Sequence, residues 1–193
     1  MTPAKVVRWW PPVGLLGMVL LGIAVGKGST PIDDWFIHFG RAHRSVYALL
    51  VFTDARLVVL LFAMTVVVGS YRRRWRLAVV AAVTPVVAVV VVRLLKRLFD
   101  REKIGALAYP SGHVTVTIVV LGMAVLLVGI ALWTVASVAV AALLDLLGQA
   151  FTYHYFTDTV GAVFLGTALV CVAFRAAKLD RCQPRCDVDH SAS

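Results

Sequence analysis

The sequence predicts an all-α, polytopic membrane helical bundle with about six transmembrane helices. Three observations carry this expectation. Hydrophobic residues make up 61% of the chain and mean hydropathy is +0.89, whereas soluble domains are about 45–50% apolar. The apolar residues gather in runs nearly free of charge, close to the ~20 residues that cross a bilayer. The charges collect at the ends of those runs. Nineteen Lys and Arg against ten Asp and Glu give a formal charge of +9. In a membrane protein such an excess meets anionic lipid headgroups. Its division among the ends of apolar runs argues against a nucleic-acid partner. The whole chain, 1–193, reads as a single domain in contact with the bilayer, and oligomeric state leaves no mark in the sequence.

The runs follow in order. Trp9 to Gly26 is the first span, with Trp9 and Trp10 at the headgroup level. Its basic start resembles a secretory leader, but its length keeps it as a span. Lys27 to Arg44 mixes Pro31, Asp33, Asp34, Trp35, Phe36 and Phe39, which predicts a re-entrant or interfacial amphipathic segment. Thr53-Asp54 reads as a helix cap before the second span, Leu57 to Tyr71. Arg72-Arg73-Arg74-Trp75-Arg76 ends it. Leu77 to Val92 is the third span, and its Pro85 is tolerated in membrane helices. Arg93 to Tyr109 reads as a charged loop. Val114 to Leu144 carries no charge and is too long for one straight crossing at about 1.5 Å per residue. It divides into two spans near Gly129 to Trp133. Thr157 or Asp158 caps the sixth span, which ends near Phe174. The short Arg72–Arg76 loop places both termini in the cytoplasm under the positive-inside rule. The loops holding His113 and His154 then share the opposite, extracytoplasmic face of a cell membrane.

Chemistry concentrates at Tyr109-Pro110-Ser111-Gly112-His113. Pro110 stops an incoming helix, Ser111 is an N-cap candidate and Gly112 allows a ligand close to the backbone. A helix N-terminus offers free N–H donors and partial positive charge to an anion. The second histidine stands in Tyr153-His154-Tyr155-Phe156-Thr157-Asp158. If the sixth span begins near His154, the i,i+4 spacing sets His154 and Asp158 on one helical face, where a carboxylate can orient the imidazole and stabilise its cation. An interface histidine followed by a capping acid fits the same residues. Two histidines, a carboxylate and a basic loop suit metal-independent phosphoryl transfer without a cofactor. No carboxylate cluster for magnesium is evident. Asp145, an acid within an apolar run, is a functional candidate by default. Near the outer end of span five it reads as reaching water, with pairing to a basic-loop residue as the alternative. Cys182 and Cys186 flank Gln183-Pro184-Arg185 with His190 beyond, a poor spacing for a metal knuckle.

Together, Lys96-x-x-x-x-Arg101, Tyr109-Pro110-Ser111-Gly112-His113 and His154-x-x-x-Asp158 resemble the three signature motifs of the type 2 phosphatidic acid phosphatase (PAP2) superfamily. The resemblance covers the third to the sixth span, within 93–175. It implies a PAP2-like six-helix membrane phosphatase acting on a lipid phosphate. His154 would be the nucleophile that forms a phosphohistidine, Asp158 its partner and His113 the general acid. Lys96, Arg101, Ser111 and the Gly112 backbone would bind phosphate. The sequence departs from the family pattern twice. Lys103 and Ile104 stand where the first motif closes on Arg-Pro, which adds Lys103 to the phosphate-binding candidates. Leu147 and Gly148 stand where the third motif opens on Ser-Arg, so a bidentate guanidinium is missing. Arg101, with Lys103 or Arg97, is expected to supply that charge from the other loop, Gln149 to donate neutral hydrogen bonds, and a Gly148→Arg change to return a guanidinium to the site.

Overall fold

The computed structural model describes residues 3–177; the Cys182, Cys186 and His190 tail lies outside them. Among the described residues the chain is an all-α membrane helical bundle. Seven α-helices are joined by one 3-10 segment and a single hairpin of two-residue strands. Five stretches are long and apolar enough to cross a bilayer: Lys5–Val25, Arg44–Tyr71, Trp75–Phe99, Leu132–Thr152 and Phe156–Ala176. Gly112–Val128 is apolar too but has 17 residues, about 25 Å of helix.

Helix α1 (Pro3–Val25) leads to α2 (Pro31–Ala42). A capping box starts α2: the Thr30 hydroxyl accepts from Asp33 N–H at 3.3 Å, and Asp33 accepts from Thr30 N–H at 3.0 Å. The helix is the expected amphipathic segment. Phe36 stacks on Phe151 and Phe156 with ring centroids 4.9 and 4.3 Å away, while Trp35 stays exposed. The following 3-10 segment (Arg44–Thr53) was not foreseen; it packs along α6. Asp54 caps α3 (Ala55–Tyr71) by accepting from Arg56 N–H at 2.8 Å.

Helix α4 (Trp75–Phe99) corrects the expected charged loop. It continues through Arg93, Lys96 and Arg97, because Leu, Lys and Arg are good helix formers and cations in a last turn offset the helix dipole. Asp100 ends it in the left-handed region (φ 49°). What remains of the loop is a hairpin of β1 (Glu102–Lys103) and β2 (Ala106–Leu107). Ile104 (φ 52°) and Gly105 (φ 73°) form its turn, the two positive φ values a tight hairpin of this kind requires. Strand alternation turns Glu102 outward and Lys103 inward.

Helices α5 (Gly112–Val128) and α6 (Leu132–Thr152) part at Gly129, as the sequence predicts, and α7 (Phe156–Ala176) follows. Helix α5 touches α3, α4, α6 and α7, and α7 touches α1, α2, α4, α5 and α6, so this pair is the centre of the bundle. Lipid gives helices no hydrophobic reason to associate, and small residues that admit close packing hold them together. At Gly161 a Cβ would lie 2.5 Å from the Tyr109 hydroxyl. Tyr109 fills that space, meets Phe99 edge-on at 4.9 Å and donates its hydroxyl hydrogen to the Met18 carbonyl. One apolar core, with Leu77, Met123 and Leu126, lies at the far end of the bundle; a second, with Met18, Val92, Tyr109 and Leu165, underlies the histidines.

Candidate active site

The two histidine-bearing turns are joined through the backbone. Ser111 is the N-cap of α5, and its N–H donates to the Asp158 carbonyl at 3.1 Å. Tyr155, rather than Thr157 or Asp158, is the N-cap of α7; the Asp158 carboxylate accepts from Tyr155 N–H at 3.2 Å. His154 therefore sits in the turn before the helix and shares no helical face with Asp158. Its N–H donates to the Gln149 carbonyl at 2.9 Å, which ties it to the end of α6. The carboxylate still stands 3.8 Å from His154 Nδ1, close enough for attraction and too long for a hydrogen bond.

Arg101 has a different position from the one expected. Its side chain is fully buried. Nε and Nη2 donate to the Gly28 carbonyl at 3.2 and 2.8 Å, and Nη2 donates to Asp33 at 2.8 Å. Nη1 donates to Asp158 at 2.7 Å and to the Thr157 hydroxyl at 2.8 Å. A guanidinium has five N–H donors, and these contacts occupy all of them, which leaves none for a phosphate. Asp33 completes the clamp by accepting from Thr157 N–H at 2.9 Å. Burial pushes the Asp33 carboxyl up, but hydrogen bonds from Thr157, Thr30 and Arg101 outweigh it and hold the carboxyl below its ordinary value. The clamp joins α2, the hairpin and the start of α7.

Of the two lysines, Lys96 braces the hairpin by donating to the Leu107 carbonyl at 2.6 Å. Lys103 Nζ is buried, has no hydrogen-bond partner and lies 4.8 Å over the Tyr155 ring. Burial lowers the Lys103 pKa, against the pull of Asp158 and Asp33. Burial raises that of the Tyr155 phenol. Ser111 Oγ is buried and unpartnered, and Gly112, the first residue of α5, has an N–H with no acceptor inside the helix.

Asp145 corrects the water-facing reading. It is fully buried in α6, with Oδ1 3.6 Å from His113 Nε2, and its partner is a histidine rather than a basic-loop residue. At Gly148 a Cβ would lie 3.1 Å from the Leu49 carbonyl, because the 3-10 segment packs against this face of α6. An arginine side chain has no room there. Gln149 is buried beside it.

The buried side-chain nitrogen and oxygen atoms without a partner, among the described residues, are Lys103 Nζ, Ser111 Oγ, His113 Nε2, His154 Nδ1, Thr117 Oγ1 and both Asp145 oxygens. Folded proteins leave few such groups, each costing about 1–3 kcal/mol or more. Here they fall on the hairpin, the two motif turns and the helix faces behind them. Asp33 and Asp145 are the site residues the motifs did not reveal. Among the described residues no three His, Cys, Asp or Glu side chains gather as a metal cradle.

A groove of 390 Å³ between α3, α4 and α5 opens beside His113. Val58, Val59, Val89 and Val116 line it together with Arg93 and Lys96. A larger apolar cavity of 930 Å³ between α1, α5, α6 and α7 reaches none of the site residues. No family model, curated protein or solved structure matches the chain. A cation, a hydroxyl and a helix N-terminus can hold an oxyanion, and two imidazoles beside it can serve as nucleophile and acid.

Proposed function

We propose that the chain is a lipid phosphatase of the type 2 phosphatidic acid phosphatase superfamily. In this reading it removes phosphate from a membrane lipid monoester or diphosphate on the extracytoplasmic face of the cell membrane. The observation that supports it most is the pair of buried polar atoms left without partners, Lys103 Nζ and Ser111 Oγ, on the segments that carry the site's histidines and basic hairpin. A phosphate would satisfy the cation, the hydroxyl and the α5 N-terminus together. The groove beside His113 is apolar along its valines and cationic at Arg93 and Lys96, which suits a lipid tail below a charged headgroup.

The chemistry takes two steps. The His154 imidazole attacks phosphorus, the bond to the leaving oxygen breaks, and His113 gives that oxygen its proton. Water then attacks the phosphorus of the phosphohistidine, the bond to the His154 nitrogen breaks and frees the imidazole, His113 recovers a proton from the water, and inorganic phosphate leaves. Asp158 supports the charge that grows on His154; the Arg101 clamp fixes that carboxylate and takes no part in phosphate binding. Purified full-length protein is to be offered polyprenyl diphosphate, phosphoribosyl polyprenyl phosphate, phosphatidylglycerol phosphate and phosphatidate, with and without EDTA. Release from at least one, abolished in His154→Ala, is the expected result. Unchanged release from His154→Ala would disprove this chemistry.

A second reading, a catalytically silent protein that binds lipid phosphates, is favoured by one observation: Arg101 has no donor to spare. Saturable binding of the same lipids with no release from any of them would support it.

A further inference from the structure

We infer that Asp145 is the positioning carboxylate of His113, so that each histidine of the site has its own acid on a different helix: His154 with Asp158, and His113 with Asp145. The inference rests on the phosphatase reading for its catalytic meaning, and on geometry for the pairing. Asp145 Oδ1 is 3.6 Å from His113 Nε2, the carboxyl is fully buried, and neither oxygen has a hydrogen-bond partner. An unpaired carboxylate buried in a membrane helix is costly. The arrangement becomes favourable when His113 carries a proton, since a protonated imidazole supplies both the charge and the missing donor. Thr117 Oγ1, one helical turn beyond His113 on α5, is also buried and unpartnered and offers a second donor.

The other charged groups around His113 oppose its cation: Arg93 and Lys96 of α4 line the same groove, and His154 acts on it from the α6–α7 turn, whereas the Thr53 backbone of the 3-10 segment favours the cation. Asp145 of α6 is the negative group of this set. A general acid needs its proton before the leaving oxygen departs. Without Asp145 the neighbouring cations would drive that proton off. The carboxylate also fixes the ring through Nε2, which leaves Nδ1 to give the proton to the leaving oxygen and to take one from water in the second step. The bond changes are those of the two-step scheme above; Asp145 exchanges no atom with the substrate.

The test uses Asp145→Asn, which keeps the shape and removes the charge. Its substrates are a lipid phosphate with an alcohol leaving group and p-nitrophenyl phosphate, whose leaving group needs no proton. For the lipid, kcat should fall at least about tenfold, a part of the roughly 10²–10⁴-fold that acid catalysis supplies; for p-nitrophenyl phosphate it should fall much less. The alkaline limb of the lipid pH–rate profile should move to lower pH. In a His113→Ala background Asp145→Asn should cost little more, since the two act as one unit. Equal losses on both substrates with an unmoved profile would overturn the role. A readout independent of activity separates this from failure of the phosphatase reading. In protein with labelled histidine, the His113 ring signals should titrate at lower pH in Asp145→Asn than in wild type. An unchanged titration would overturn the pairing itself. Should Asp145→Asn fail to fold, Asp145→Glu supplies the same measurements, with partial retention of the lipid rate expected and full loss counting against the proposal.

Discussion

Arg101 and Lys103 are two residues apart and carry the same charge, yet the hairpin gives them opposite tasks. Arg101 is a satisfied structural clamp, whereas Lys103 is an unpartnered cation facing the site. Removing one partner of a buried ion pair costs about 3–5 kcal/mol because the other charge is stranded, and Arg101→Ala strands two carboxylates. It should lower the melting temperature in detergent sharply. Lys103→Ala should leave melting nearly unchanged while weakening phosphate binding. The Lys103 pKa is depressed, so its folded form loses the proton at lower pH than the unfolded chain does. Below the ordinary lysine value the unfolded state then binds more protons, and this group's contribution to stability rises with pH as its phosphate affinity falls. Titration calorimetry with inorganic phosphate between about pH 8 and 10 should show weakening in wild type and a flatter profile in Lys103→Arg, whose guanidinium stays charged there. An equally steep profile in Lys103→Arg would remove Lys103 from the phosphate site. Motif spacing made Lys103, Ser111, His113 and His154 legible in the sequence. Asp33 was not, because its partner Arg101 lies 68 positions away and no local pattern joins them; Asp145 stood out as an acid in an apolar run, but its partner, 32 positions away, did not. Arg101 was misassigned for the same reason: the two acids that occupy it belong to other helices.

At the scale of elements, local signals placed the boundaries well where capping chemistry is written into the chain. Asp54 before α3 is an example; the break at Gly129 between α5 and α6 follows instead from the length of the uncharged run. Local signals failed where tertiary packing decides. The 3-10 segment has no periodicity of its own and exists as a layer against α6, and α4 outruns its apolar stretch because its cations suit a helix end. That layer also fixes what α6 accepts at Gly148. Replacing a helix-interior glycine by alanine gains about 0.5–1 kcal/mol, and a methyl 3.1 Å from the Leu49 carbonyl offsets much of this. Gly148→Ala should therefore be near neutral in thermal unfolding. Gly148→Arg has to displace the segment and should destabilise by about 1–3 kcal/mol or more, as overpacking does. It should not rescue any loss at Arg101; a rescue would mean that the segment moves aside freely.

At the scale of the whole molecule, the membrane-spanning bundle was legible from composition and run length, and the positive-inside rule would put the arginine loop between α3 and α4 in the cytoplasm. In a background without Cys171, Cys182 and Cys186, a cysteine at Ile104, which is 92% exposed on the hairpin tip, should react with an impermeant reagent in intact cells. A cysteine at Arg72 should react only after permeabilisation; the reverse pattern would invert the molecule. On the phosphatase reading, the clamp described above also sets how strongly the site keeps its product. Lys96, Arg101 and Lys103 are matched one for one by Asp33, Asp158 and Asp145 when the latter is ionised, so with neutral histidines the site keeps only the charge of Arg93 in the groove. A free phosphate ion would then meet directed hydrogen bonds and little excess of positive field. The tail in the valine-lined groove would then supply much of the hold on substrate. Once the ester is cut that hold is severed from the phosphate, and inorganic phosphate should be a weak inhibitor that drains quickly into water.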